Sequence, residues 1–421
     1  MNIKSTLKAI LPDSVISFKR DCETYAPKEI KKDLIANKAI RRVRNRPHLN
    51  SRIKVAFIAQ MAEIWDKEAP IYDAMLLDSA FEPSVIVIPP YNQKTKSVEM
   101  AYDESNYFIS RYPSCVRACE GREWISMESM NFDYVFLPRP YDHYLPEGFR
   151  SYHLAQFAKV CYVPYGFSGA DVFNAGNSNK AFFRNVYFSF LESEYMLNIL
   201  SRKFKTRAEK RNHKLLNLGY PALIPYFSFP QISAVRTIMW TPRWSFDSVI
   251  GGSNFLNYKD CFMEAVRAHP EFKFVFRPHP LMFGEILDKG YMSQEEISDY
   301  LRHLTSLGVV YDKNTPVVES LRNADVLITD FSSIIIQFFL TGRPIIYCES
   351  CIQMNQTYQK LKSGMYIVNS KDDFLNEING LSITGDYLKP KRQEIICDGF
   401  DYHKNATNNI LNAIKQDYNE A

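Results

Sequence analysis

The stretch Ala324–Tyr347, ADVLITDFSSIIIQFFLTGRPIIY, is the strongest constraint on the fold. It reads as strand, tight turn, helix, turn, strand. Asp325–Thr329 is a short apolar, β-branched run of the buried-strand type. Asp330 or Ser332 suits the cap of a helix with its body at Ile334–Leu340, and Gly342 stops that helix before Pro344. The helix therefore starts just past the carboxyl end of a strand, where open parallel sheets bind ligands. Its first N–H groups and the hydroxyls of Ser332 and Ser333 suit a phosphate or pyrophosphate. The same serines serve equally well as plain helix caps.

The alternation seen there runs through most of the chain. RIKVAFIAQ at Arg52–Gln60 is a buried-type strand, followed by a helical pattern over Asp66–Asp78. Ser84–Ile88, Asp133–Leu137, Val160–Val163 and Leu215–Pro221 read as further strands, with a helix at Glu192–Arg202. Pro221, Pro225 and Pro230 punctuate an aromatic connector. Beyond it the pattern resumes, with strands at Thr237–Thr241, Phe272–Phe276, Val309–Tyr311 and Met365–Val368. Such alternation predicts α/β architecture with two doubly wound, Rossmann-type domains facing a cleft. The expected divisions are a basic helical arm at 1–50, one domain at 51–225, a second at 235–400, and a last helix within 401–421 that crosses back. The first strand lacks a following G-x-G-x-x-G, so no dinucleotide fingerprint is present.

Charge is concentrated rather than spread. The net charge is +4, but residues 1–50 alone hold twelve Lys/Arg against five Asp/Glu, so the remainder is slightly acidic. That distribution argues against a nucleic-acid footprint across the fold. Ile3, Leu7, Ile10, Leu11 and Val15 stand at helical spacing beside Lys4 and Lys8, and a second basic stretch ends in Arg41, Arg42, Arg44 and Arg46. A basic amphipathic arm of this kind suits an anionic membrane surface, or else packs on the body of its own protein. No run reaches the roughly 18 apolar residues of a spanning helix, and charges interrupt residues 1–20 where a signal peptide needs an apolar core. The expected location is the cytoplasm, peripheral to the inner face of the membrane. Eight irregularly spaced cysteines do not form a disulfide framework.

Three strand ends of the second domain should share one sheet edge: Thr241-Pro242-Arg243, Arg277-Pro278-His279-Pro280 and Asp330–Ser333. Together they offer two guanidinium groups, an imidazole, two hydroxyls and a helix start. Arginine forks match phosphate oxygens. A histidine between prolines is held on a stiff turn, where it donates to a phosphate or moves a proton. Arg243, Arg277, Asp330, Ser332 and Ser333 are the residues expected at a nucleotide-diphosphate site, with His279 on its stiff turn beside them and no metal or cofactor required. In the first domain, Pro138–Tyr144 and Val163-Pro164-Tyr165-Gly166-Phe167 place aromatics at strand ends facing the cleft.

RPHP at 277–280, DVLITDFSS at 325–333 and TGRPIIY at 341–347 resemble the signature blocks of the CDP-glycerol glycerophosphotransferase family. IMWTPRW at 238–244 is similar to a further block, and the likeness covers about residues 235–415. The resemblance implies a GT-B fold, with CDP-glycerol in the second domain and its pyrophosphate against Ser332, Ser333 and His279. It implies transfer of glycerol phosphate, or a related polyol phosphate, to a glycan or lipid-linked acceptor, with release of CMP. The first domain departs from the pattern. The family's Trp-His-Gly block corresponds to Pro164-Tyr165-Gly166, placing Tyr165 where a histidine base is expected. A phenol with a pKa of ~10 is a poor base at neutral pH unless strongly perturbed, so with His279 and Tyr165 as the expected catalytic residues, either His279 takes the catalytic role, or Tyr165 merely positions the acceptor, or the chemistry differs. Asp142 and His143 are the fallback bases. The alternative reading is a GT-B glycosyltransferase with a nucleotide-sugar donor, and nucleotide-sugar epimerases share the architecture.

Overall fold

Short strands made almost wholly of apolar residues lie flat only when both faces are covered, which favours parallel sheets wrapped by helices. The computed structural model describes residues 27–47, 51–89, 91–92, 95, 97–98, 105–112, 115–121, 123–247, 250–313 and 316–420, and shows two such sheets. The expected helix over residues 3–15 lies outside the described residues. The first sheet comprises β1 (Ile53–Ala59), β2 (Phe81–Val87), β3 (Cys115–Arg117), β4 (Tyr134–Leu137), β5 (Lys159–Tyr162), β6 (Phe188–Phe190) and β7 (Lys214–Leu216). The second comprises β8 (Thr237–Thr241), β9 (Lys273–Phe276), β10 (Val310–Tyr311), β11 (Val326–Thr329), β12 (Ile345–Cys348) and β13 (Tyr366–Val368).

In space the first sheet runs β3-β2-β1-β4-β5-β6-β7 and the second β10-β9-β8-β11-β12-β13, with every neighbouring pair parallel. Both are therefore doubly wound. The order reverses between β1 and β4 in one sheet and between β8 and β11 in the other, and a crevice opens at each reversal. This is the two-Rossmann architecture expected from the alternation. Within these two sheets, Cys115–Arg117 and Phe188–Phe190 are not foreseen from sequence, because three residues carry too little periodicity.

The last helix, α3 (Ala406–Asn419), returns to the first sheet. Its Asp417 is buried and accepts from the Tyr134 and Tyr187 hydroxyls (2.7 and 2.6 Å), with Lys159 and Lys214 at 2.7 and 2.6 Å. Burial alone would raise this carboxyl's pKa, but the two lysines and the tyrosine outweigh it and hold the pKa below the ordinary carboxylate range. Tyr134, Lys159, Tyr187 and Lys214 all sit at or beside the amino ends of their strands, so this network locks the edge opposite the crevice.

The arm forms α1 (Pro27–Arg44), which buries Ala36, Ala39, Ile40 and Val43. Its acidic residues turn inward, Glu29 to Arg184 and Asp33 to Lys180. Arg42 donates to the Gln156 carbonyl (2.7 Å), and Arg44 to the carbonyls of Lys210 and Arg211 (3.2 and 3.0 Å). The basic cluster is thus not a uniform outward patch. Arg42 and Arg44 dock the helix on the body through these carbonyls, and Arg41 stays exposed on the outer face. Arg46, partly buried, lies beside Lys159 and Asp133. Among the described residues no helix is long and apolar enough to cross a membrane.

Candidate functional site

At the β8/β11 reversal the three turns singled out by sequence are knitted together. The His279 N–H donates to the Pro242 carbonyl (3.2 Å), joining the turns after β8 and β9. The Arg243 N–H donates to Asp330 Oδ2 (2.9 Å), and Arg243 Nη1 to the Phe331 carbonyl (2.9 Å), joining the turns after β8 and β11. Arg243 Nη2 reaches the Ile250 carbonyl (2.8 Å), and Ser253 Oγ donates to the Arg243 carbonyl (2.7 Å), folding the 243–254 loop back on the edge.

Each expected residue then takes a distinct place. Asp330 is fully buried, and desolvation pushes its carboxyl up to about 6. Its Oδ2 is taken up by the Arg243 N–H, so this carboxyl fixes the turn that carries Arg243. Arg243 brings charge to the crevice, but its fork is largely committed to carbonyls. Arg277 departs further from expectation. Its Nη1 donates to Asp312 Oδ2 (2.8 Å) and Ser320 Oγ (2.9 Å), a part-buried ion pair behind the turn. The guanidinium is held by Asp312, a partner that no local motif around Arg277 reveals.

His279 and the serines remain open. His279 lies at the rim, its ring 6.1 Å from that of Trp244. Desolvation by its surroundings and the nearby Arg243 charge lower its pKa to about 4, so the imidazole is neutral at physiological pH. Nδ1 accepts from the Leu281 N–H (3.2 Å), which places the ring proton on Nε2. In this tautomer Nε2 is a donor, suited to a phosphate oxygen rather than to taking a proton. Helix α2 (Ile334–Phe339) follows; Ser332 Oγ weakly accepts from the Ile334 N–H (3.4 Å), and the exposed Ser333 hydroxyl makes no capping bond. The TGRP block is structural: buried Arg343 donates to the Arg322 and Ala324 carbonyls (2.8 and 2.6 Å) and to the Pro230 carbonyl (2.9 Å), binding the connector to this sheet.

Opposite this edge stands the loop after β5. Gly169 packs so closely that a Cβ would lie 2.8 Å from the Tyr358 ring and 2.9 Å from the Phe331 ring. Asn355 donates to the Ser168 carbonyl (2.9 Å), and the rings of Phe173 and Phe331 stack at 6.2 Å. The Arg243 guanidinium lies 6.0 Å from the centre of Phe173. Tyr165 is half-exposed, 3.2 Å from the Tyr141 hydroxyl. Burial and that neighbouring hydroxyl push its phenol well above the ordinary value, so it stays protonated and is no base at neutral pH. Asp142 is spoken for as well, accepting from Ser151 N–H and Oγ, both at 2.7 Å. His143 is exposed beside Tyr144.

Residues 229–416 match the family described as CDP-glycerol:poly(glycerophosphate) glycerophosphotransferase. The teichoic acid glycerol-phosphate primase of Bacillus subtilis (strain 168) is 24% identical over 247 residues, 55% of this chain and 59% of the relative. The chain thus aligns with under two thirds of that protein's length. Among solved structures, a wall teichoic acid polymerase soaked with CDPG superposes with a TM-score of 0.53 at 13% identity, over 97% of this chain and 99% of that one. UDP-GlcNAc 2-epimerase from Neisseria meningitidis bound to UDP-GlcNAc gives 0.57 at 12% identity, over 86% of this chain and all of the other. These likenesses place the chain in the GT-B architecture.

Proposed function

With residues 229–416 belonging to the CDP-glycerol glycerophosphotransferase family, we propose that the protein transfers glycerol phosphate, or a related polyol phosphate, from a CDP-linked donor to a hydroxyl of a glycan or lipid-linked acceptor. The acceptor oxygen bonds to the glycerol-bearing phosphorus, the phosphoanhydride bond to the cytidylyl group breaks, and CMP leaves. The hydroxyl proton ends on CMP or in the buffer. The observation that carries this reading is the knitted β8/β11 crevice, where His279 Nε2 and the Ser333 hydroxyl stand open beside the committed charge of Arg243. Phosphoryl transfer calls mainly for positioning and charge stabilisation, which this set supplies. His279 and the two serines hold the donor phosphates, Arg243 adds positive field, and Asp330 positions Arg243. Tyr165, protonated, positions the acceptor.

The outer face of α1 favours a membrane-borne acceptor. Ile30, Leu34 and Ile35 are 47%, 63% and 53% exposed there, flanked by exposed Lys28, Lys31, Lys38 and Arg41, with the helix's acids turned inward. Apolar residues among cations suit an anionic interface, each cation adding about 1 kcal/mol.

The test is nucleotide product identity by ³¹P NMR after incubation with CDP-glycerol and membranes from the source cells. CMP together with a new phosphodiester signal is expected. Release of a nucleoside diphosphate from a sugar nucleotide, with CDP-glycerol left intact, would make the protein a glycosyltransferase instead.

A further inference from the structure

The first sheet has its own reversal, between β1 and β4, and the residues just past those two strands are Gln60 and Arg139. They are bonded to each other, Arg139 Nη2 donating to Gln60 Oε1 (2.6 Å), and Gln60 Nε2 donates on to the Tyr144 carbonyl (3.1 Å). The Arg139 guanidinium sits 4.3 Å from the centre of the Tyr144 ring. From that anchor a run of rings extends along the sheet edge. His143 and Tyr144 lie 4.1 Å apart, Tyr141 is 6.0 Å from His143, and Tyr141 meets Tyr165 with centroids 6.1 Å apart.

This edge is built, and yet it is open. Tyr144 and Tyr165 expose 44% and 37% of their surface, although aromatics of this size are ordinarily buried against a core. Arg139 and Gln60 hold Tyr144 from below, and Asp142 pins the same turn to Ser151. The edge also borders the donor crevice. Tyr165 lies four residues before Gly169, which abuts Phe331, and the Tyr141 hydroxyl would lie 3.1 Å from a Cβ on Gly176, just beyond Phe173.

We propose that this aromatic ledge at the first sheet's switch point is a pyranose-binding subsite, which seats a sugar ring of the acceptor glycan. The inference rests on the transfer reading above and names the acceptor chemistry for it. A pyranose presents an apolar C–H face that packs on an aromatic ring and a rim of hydroxyls that take hydrogen bonds. The ledge offers ring faces and edges together with phenol hydroxyls and an imidazole. Among the described residues it has no cluster of cations to recognise a second diphosphate, Arg139 being committed to Gln60 and Tyr144.

The experiment is saturation-transfer NMR of the full chain with methyl β-cellobioside and di-N-acetylchitobiose, on the wild-type, Tyr144→Ala and Tyr141→Phe proteins. Calorimetric titration with CDP-glycerol runs alongside, and a melting curve verifies that each variant folds. At least one disaccharide should receive saturation from the wild-type protein. Tyr144→Ala should lose that signal, while Tyr141→Phe, which keeps the ring, should retain most of it. In turnover, Tyr144→Ala should raise the acceptor KM about 10-fold or more with the CDP-glycerol dissociation constant unchanged. Absence of disaccharide binding by the wild-type protein would overturn the proposal. So would a signal indifferent to Tyr144, or a fall in CDP-glycerol affinity, which would assign the ledge to the donor. Ledge-dependent sugar binding without CMP release would leave the subsite standing and remove the transfer reading. CMP release with ledge-independent sugar binding would do the reverse.

Discussion

The two sheets share one strand order and differ sharply in what they present at its reversal. The second sheet brings an imidazole, hydroxyls and a guanidinium to the β8/β11 crevice, with a fully buried aspartate behind them. The first brings tyrosines and a histidine to the β1/β4 crevice, with Arg139 stacked against a ring. Identical topology therefore fixes where ligands sit but not which ones. A polar, charge-focused edge suits an anionic donor, and an aromatic edge suits an uncharged acceptor surface. The amino edge of the first sheet, by contrast, is closed by Asp417 and its lysines and tyrosines.

That closed edge should give the largest effect on stability. Asp417→Ala leaves Lys159 buried without its counter-ion, and a loss of about 3–5 kcal/mol is expected, read by denaturant melts. The sign with pH follows from the lowered carboxyl pKa. The stabilisation is present above the ordinary aspartate range and is lost as pH falls through the folded value, so the gap between wild type and Asp417→Ala should close in acid. At the donor edge, His279→Ala should lower kcat by about 10²–10³-fold with little loss of stability, as for removal of a donor to a developing charge. The lowered pKa of His279, about 4, adds that kcat/KM should show no inflection from this ring between pH 5 and 8. A limb near 6.5 that disappears in His279→Ala would contradict the assigned tautomer and charge. The two arginines should part company more gently. Replacing Arg277 and Asp312 together by Met and Leu should leave CDP-glycerol affinity within about 3-fold, whereas Arg243→Met should cost about 10-fold or more. Smallest of all, Ile30→Ser with Leu34→Ser should weaken binding to anionic liposomes in a co-sedimentation assay without changing the melting temperature. Unchanged sedimentation would remove the outer face of α1 as a membrane contact.

Much of the donor edge was legible because its parts are local. The strand at Thr237–Thr241, the helix starting at Ile334 and the turns between them follow from short apolar runs, caps and prolines. Convergence of three strand ends follows from alternation, since parallel strands must all point the same way. What stayed illegible depends on contacts distant in sequence. Arg277 reads as a phosphate fork until Asp312, 35 residues on, is seen to hold it. Arg42 and Arg44 read as membrane contacts until the carbonyls of residues 156, 210 and 211 are placed beside them. The aromatic loop at Pro138–Tyr144 was visible as a cleft lining, but its anchor was not, because Gln60 and Arg139 meet only across the β1/β4 reversal.

The most direct measurement is CMP formation from CDP-glycerol with source-cell membranes, in wild type and His279→Ala, with donor affinity measured calorimetrically on both. Membrane-dependent CMP is expected from the wild type and its near loss in His279→Ala, while the variant still binds CDP-glycerol. Undiminished CMP from His279→Ala would contradict the chemistry assigned to the second switch point.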